Sequence, residues 1–218
     1  MRYCAAIMTL AMATAVVGLA VEDDPVPRPK VVAVDWELQF EHQAPQTITI
    51  KLPGEKKPLT YWYLLYQVTN RSKADQVYAP EFVMYTETGE IVRAGQKVST
   101  AVFDAIQARH NNPLLQDIAG ITGRLLQGED NAKDGVAIWR DFDPKARRFD
   151  LFIGGLSGER EKLRLPVPVK VRDAAGKEIV RTEMIVSKTL QLSYSVPGEA
   201  AARPRVKPSL LKRDWVMR

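Results

Sequence analysis

The sequence predicts a mainly β protein, an antiparallel sandwich of about eight to nine strands with one short helical insertion. Three observations lead there. Apolar and polar residues alternate along most of the chain, most cleanly in "VAVDWELQFE" (32–41). Turn signals such as "ETGE", "DPKA" and "AAGK" separate the alternating runs at hairpin spacing. Helical spacing is confined to about 99–127, so helices do not alternate with strands as a parallel β/α architecture requires.

The first twenty residues, "MRYCAAIMTLAMATAVVGLA", read as a secretory signal peptide. Arg2 precedes an apolar run, and Gly18, Leu19 and Ala20 lead into acidic "VEDD". From Ala5 to Ala20 the run is shorter than the roughly 20 residues that span a bilayer, so cleavage is expected over retention as an anchor. No later run approaches a span, and the mature chain is expected to be extracytoplasmic, either periplasmic or secreted. Its single cysteine, Cys4, goes with the signal. Disulfides, thiol catalysis and cysteine-ligated metals are thereby excluded, and stability has to come from the core.

Residues 21–30, "VEDDPVPRPK", form a proline-rich linker, and the sandwich domain is expected over 31–196. In its first strand Val34, Trp36, Leu38 and Phe40 share one parity. "QTITIKL" (46–52) follows, then "YWYLLYQVTN" (61–70), whose Trp62, Leu64, Tyr66 and Val68 have the parity of a central strand facing an opposite sheet. Tyr61, Tyr63 and Leu65 make the other face too apolar for water, so the helical insert or the C-terminal tail is expected to cover it. "EFVMYTETGEIVRAG" gives two strands about Gly89. Val102, Phe103 and Ile106 then recur at helical spacing. A second helix is expected from Asn112–Pro113 through Leu114, Ile118, Ile121 and Leu125, weakened by Gly120 and Gly123. "GEDNAKDG" reads as a loop. Strands resume at 136–142, 147–156, 165–173 and 178–196. The last is too long for one regular strand, so a bend near Ser187–Lys188 should divide it.

No catalytic, cofactor-binding or metal constellation is complete. His42 and His110 lack the companions of a zinc site. His110 has Asp104 and Asp117 near in sequence, the one nucleus for a His–Asp pair. "GGLSGE" (154–159) fails as a nucleophile elbow because Glu159 stands where glycine is needed, leaving Ser157 as a turn residue. Asp130, Asp134 and Asp141 do not follow calcium-loop spacing. The whole chain carries +5, and residues 203–218 alone carry as much, through Arg203, Arg205, Lys207, Lys212, Arg213 and Arg218 against Asp214. The body is therefore near neutral, which with export argues against nucleic acid. The C-terminal tail, 197–218, is the expected partner contact, with Arg205, Lys207, Lys212, Arg213 and Trp215 facing another envelope protein or an anionic envelope surface. Ser209 with Leu210, Leu211, Trp215 and Val216 suggests one or two helical turns there.

Taken together, "YWYLLYQVTNRS", "DFDPKARRFDLFIGGLSGE" and "KTLQLSYSVPG" make residues 31–196 resemble bacterial exported proteins with a single immunoglobulin-like or fibronectin-type-III-like sandwich. That resemblance implies a scaffold and carries over no site residues. The expected function is a non-enzymatic interaction or structural module of the cell envelope. A second reading is a small-ligand or glycan-binding module using Trp139 or Tyr63. A third is a hydrolase centred on the helical insert.

Overall fold

The computed structural model describes residues 27–32, 35–172, 175–197 and 206–218. The signal segment, residues 21–26 of the linker, Val34, Arg203 and Arg205 lie outside the described residues. Strands take up 53% of the chain and helices 10%, so the fold is mainly β, and its strand pairs are antiparallel.

In chain order the elements are β1 (Gln39–His42), β2 (Gln46–Ile50), β3 (Leu59–Thr69), β4 (Gln76–Tyr78), β5 (Glu81–Thr86) and β6 (Ile91–Arg93). Helices α1 (Thr100–His110) and α2 (Ile118–Ile121) follow, then β7 (Gly123–Leu125) and β8 (Lys133–Arg140). The chain continues through β9 (Arg148–Gly154), β10 (Arg160–Arg172), β11 (Glu178–Ser195) and β12 (Ser209–Met217). β4, β7 and β12 raise the number above the expected eight to nine: β4 and β7 are too short to show alternation, and β12 lies in the tail expected to be helical.

β3 is the hub of the first sheet, with β8 along one side and β1 and β2 on the other. The second sheet places β11, β9, β5 and β6 side by side, and β12 flanks β11. Trp62, Leu64, Tyr66 and Val68 share one buried cluster with Phe82, Phe149, Leu151, Leu190 and Tyr194 of the second sheet. The rings interlock across the two layers, as in Trp62 with Phe149 at 5.9 Å and Phe82 with Trp139 at 6.2 Å. On the other face of β3, Tyr61, Tyr63 and Leu65 join a second cluster with Val102 and Ile106 of α1 and with Leu115. The insert, not the tail, is what covers that face.

Ser99 caps α1, its hydroxyl accepting from the Ala101 amide, and Asn111 ends the helix in the left-handed region at φ 47°. The helix expected from Asn112 does not form. The Asn112 side-chain oxygen instead accepts from the Leu114 amide in a tight turn, and only Ile118–Ile121 is helical, capped by Asp117. Gly123, at φ +139°, then turns the chain into β7, whose pairing with β4 supplies bonds that a helix through Leu125 would have made internally. β8 likewise begins at Lys133, inside the expected loop, because Gly135 is needed beneath the Tyr66 ring. The tail is a strand instead of one or two helical turns: β12 pairs with β11 from Lys188–Met217 to Ser195–Ser209. Strand pairing to an existing sheet satisfies backbone groups that a helix this short holds poorly.

β11 runs as one continuous strand over Glu178–Ser195, where a bend near Ser187–Lys188 is expected from its length, and only its pairing partners change there. Residues 188–195 lie inside the second sheet between β9 and β12, while 178–186 pair with β10 alone. The first half enters neither sheet core but runs outward with β10 as a two-stranded arm. β9 and β10 lie end to end along the same side of β11, joined through Gly155–Glu159. In this junction Gly155, at φ +82°, passes so close to Ala79 that a Cβ would sit 2.4 Å from its carbonyl oxygen.

Candidate functional site

The expected contact residues of the tail do not make one free basic patch. Lys207 is exposed, and Arg205 lies outside the described residues. Lys212 pairs with Asp214 at 2.9 Å, and that hydrogen bond holds the Asp214 carboxyl below the usual carboxylate range. Arg213, though exposed, donates to the Phe40 carbonyl oxygen at 3.2 Å. Trp215 is half-buried, with the Lys188 ammonium 5.1 Å from its ring centroid. Strand alternation sends neighbouring tail residues to opposite faces, so no single surface gathers them.

The two aromatics considered for ligand stacking, Trp139 and Tyr63, are both fully buried and present no face to a ligand. The His–Asp pair also fails to assemble. His110 Nε2 lies 3.0 Å from the Tyr63 hydroxyl, which donates to Gln46 Oε1. Asp117 is occupied as the cap of α2, and Asp141 accepts from the Trp62 indole at 2.8 Å. Asp134 accepts from the side-chain amides of Gln67 and Asn112. Among the described residues no group of three His, Asp or Glu side chains converges as metal ligands.

Folding does bring together two residues that the sequence kept apart. His42 and His110 line one cleft of about 340 Å³, with Glu41, Gln67, Asn112 and Asp134 around it. Burial lowers the pKa of His42, assisted by the nearby Arg213 charge, and burial with Arg109 lowers that of His110. Both rings are therefore neutral at pH 7. The 67 residues between them hid this neighbourhood from the sequence, because only the packing of α1 on β3 creates it.

The arm is the more distinctive feature, and its base is anchored by a buried charge. Lys188 is 3% exposed, with its ammonium 2.9 Å from Glu37 Oε2 and 3.3 Å from Glu159 Oε2. Burial disfavours the ammonium, but the two carboxylates outweigh it and hold the lysine pKa above its ordinary value. The Lys30 amide donates to the other Glu159 oxygen at 3.0 Å. Beyond this base the arm pairs with no other strand among the described residues, and it carries exposed aliphatic side chains among its charged ones. Val167, Val169, Val180, Met184 and Ile185 are all exposed. A two-stranded ribbon is marginal in water, so one with aliphatic side chains in solvent has the character of an unfilled interface. Sequence alternation shows these residues as strand but not that the strand leaves the body.

Among the described residues no helix is long and apolar enough to cross a membrane. Comparison with protein families, curated proteins and solved structures finds no match to this chain.

Proposed function

We propose that the protein is an exported, non-enzymatic interaction module of the cell envelope, an immunoglobulin-like scaffold that holds out the β10–β11 arm as its contact element. The single observation that carries this reading is the arm itself: a ribbon anchored by the Lys188–Glu37–Glu159 cluster, with aliphatic side chains in solvent. The export signal read at residues 1–20 supports it. The arm takes over the role first given to the tail, because β12 is spent on completing the second sheet. Replacing residues 163–184 by an Asn-Gly turn shortens the hairpin without touching its base. Labelled mature protein should co-sediment with isolated cell envelopes, and the shortened variant, melting at a similar temperature, should stay in the supernatant. Equal sedimentation of the two overturns the reading.

The histidine cleft favours a second reading, binding of a small polar ligand such as a neutral sugar. Its polar rim and the Leu65–Leu115 floor suit such a molecule better than a metal or a polymer. With only two histidines in the chain, their ring resonances can be followed individually in a titration with envelope sugars. Unmoved resonances across the panel sink this reading.

A further inference from the structure

We infer that the partner of the arm is a second copy of this chain, joined edge to edge along β11 about a twofold axis at Thr182. The inference rests on the reading of the arm as a contact element and names what the arm contacts.

The backbone identifies the open edge. The Ser187 amide and carbonyl bond to the Arg218 carbonyl and amide at 2.7 and 3.0 Å, whereas the Lys188 amide bonds in the other direction, to Glu159 at 2.9 Å. Successive residues of a strand point their hydrogen-bonding groups to opposite sides. Residues 179, 181, 183 and 185 therefore aim theirs to the Arg218 side. Among the described residues no strand pairs with this edge.

The two neighbouring edges, of β10 and β12, are protected. β10 carries Pro166, Pro168 and a register break between Arg164 and Val169, and β12 has its own irregularity opposite Ser193–Tyr194. Proline, lysine and bulges are how sheet edges avoid pairing. Residues 178–187 of β11, "EIVRTEMIVS", contain no proline, lysine or glycine.

The same decapeptide is complementary to itself when reversed. Antiparallel pairing centred on Thr182 sets Arg181 opposite the second copy's Glu183, twice by symmetry. It also sets Val180 opposite Met184 and Ile179 opposite Ile185. Among the described residues neither Arg181 nor Glu183 forms an ion pair within its own chain, and Val180, Met184 and Ile185 are 61%, 41% and 63% exposed. A twofold contact requires this kind of self-complementarity. The adjacent registers are disfavoured. A shift of two residues sets Arg181 against Arg181, or Glu183 against Glu183, and like charges directly opposite destabilise a pair. In the favoured register the odd residues meet as hydrogen-bonded pairs and Thr182 meets its copy as a non-hydrogen-bonded pair, in keeping with the backbone phase. Two marginal ribbons become one four-stranded sheet.

Sedimentation of the full mature chain tests this. Wild type should be a dimer. Arg181→Glu and Glu183→Arg should each weaken dimerisation by about tenfold or more, roughly 1.4 kcal/mol, and the double exchange should restore it. At dilutions where the wild type is monomeric, circular dichroism melts should coincide throughout, since these side chains lie outside the core. As an independent probe, Thr182→Cys places the mature chain's sole thiol against its twin, about 4.5 Å apart between Cα atoms and within disulfide reach. It should cross-link readily, whereas Val180→Cys, opposite Met184, should not. A wild type that stays monomeric at its highest soluble concentration, or charge variants without loss and rescue, overturns the inference. If envelope sedimentation still depends on the arm in that case, the contact function survives with a different partner. A rescued dimer whose shortened arm sediments normally would retain the dimer and remove the envelope role.

Discussion

At Gly135 a single missing side chain decides how two strands pack. A Cβ there would lie 2.3 Å from the Tyr66 ring, which crosses the glycine from the neighbouring strand. Gly135→Ala should therefore expel the ring and destabilise the protein by about 1–3 kcal/mol, the usual effect of overpacking, as read from urea unfolding. An unchanged midpoint would mean the ring moves freely. The sequence shows this glycine only as part of "AKDG", a turn signal, since its neighbour Tyr66 lies far away in the chain. Lys188 is similarly disguised. In "VSKTLQL" it occupies a position that alternation leaves ambiguous, and a lysine is normally expected in water. Its burial depends on Glu37 and Glu159, neither of which is near it in sequence.

At the scale of elements, strand parity was the most legible property. Leu38 and Phe40, the aromatic hub strand and the Gly89 hairpin all fall where alternation and turn residues put them. The helical insert was half legible. α1 has a cap and a buried stripe, but the Asn112–Pro113 start signal describes a turn equally well, and pairing of β7 with β4 decided between them. The tail was misread because "SLLKRDWVM" has apolar residues at both spacings, and a free sheet edge supplied the deciding bonds. Removing residues 209–218 should consequently do more than cut off an appendage. It exposes β11 along Lys188–Ser195 and removes buried Met217, so the truncated chain should lose cooperative thermal unfolding or solubility. A truncated chain that melts like the parent would show β12 to be dispensable.

Across the whole molecule, buried ionisable groups set the pH window of stability. His42 and His110 have folded pKa values below their ordinary one, so the stability they contribute is present above about pH 6.5 and lost as pH falls through the lowered values. Lys188 and the buried tyrosines Tyr66, Tyr78 and Tyr194 have raised values, the tyrosines chiefly through burial. Their contribution is present below about pH 10 and lost as pH rises through the raised values. Melting temperature should thus be flat near neutrality and fall on both sides. Lys188→Met should lower the whole curve by about 3–5 kcal/mol of stability, because buried Glu159 loses its counter-ion. An alkaline limb that stays flat in the parent, or a Lys188→Met curve that overlays it, would contradict this assignment.

The sequence alone determined that the chain is β-rich and antiparallel and which parity of each strand is greasy, because those properties depend on neighbours two to four residues apart. Tertiary structure decided everything that depends on distant neighbours: the burial of Lys188, the meeting of His42 and His110, the use of the tail as a strand, and the departure of the β10–β11 arm from the body. Alternation reports that a strand has two faces. Only the completed sheets determine whether another layer lies over them.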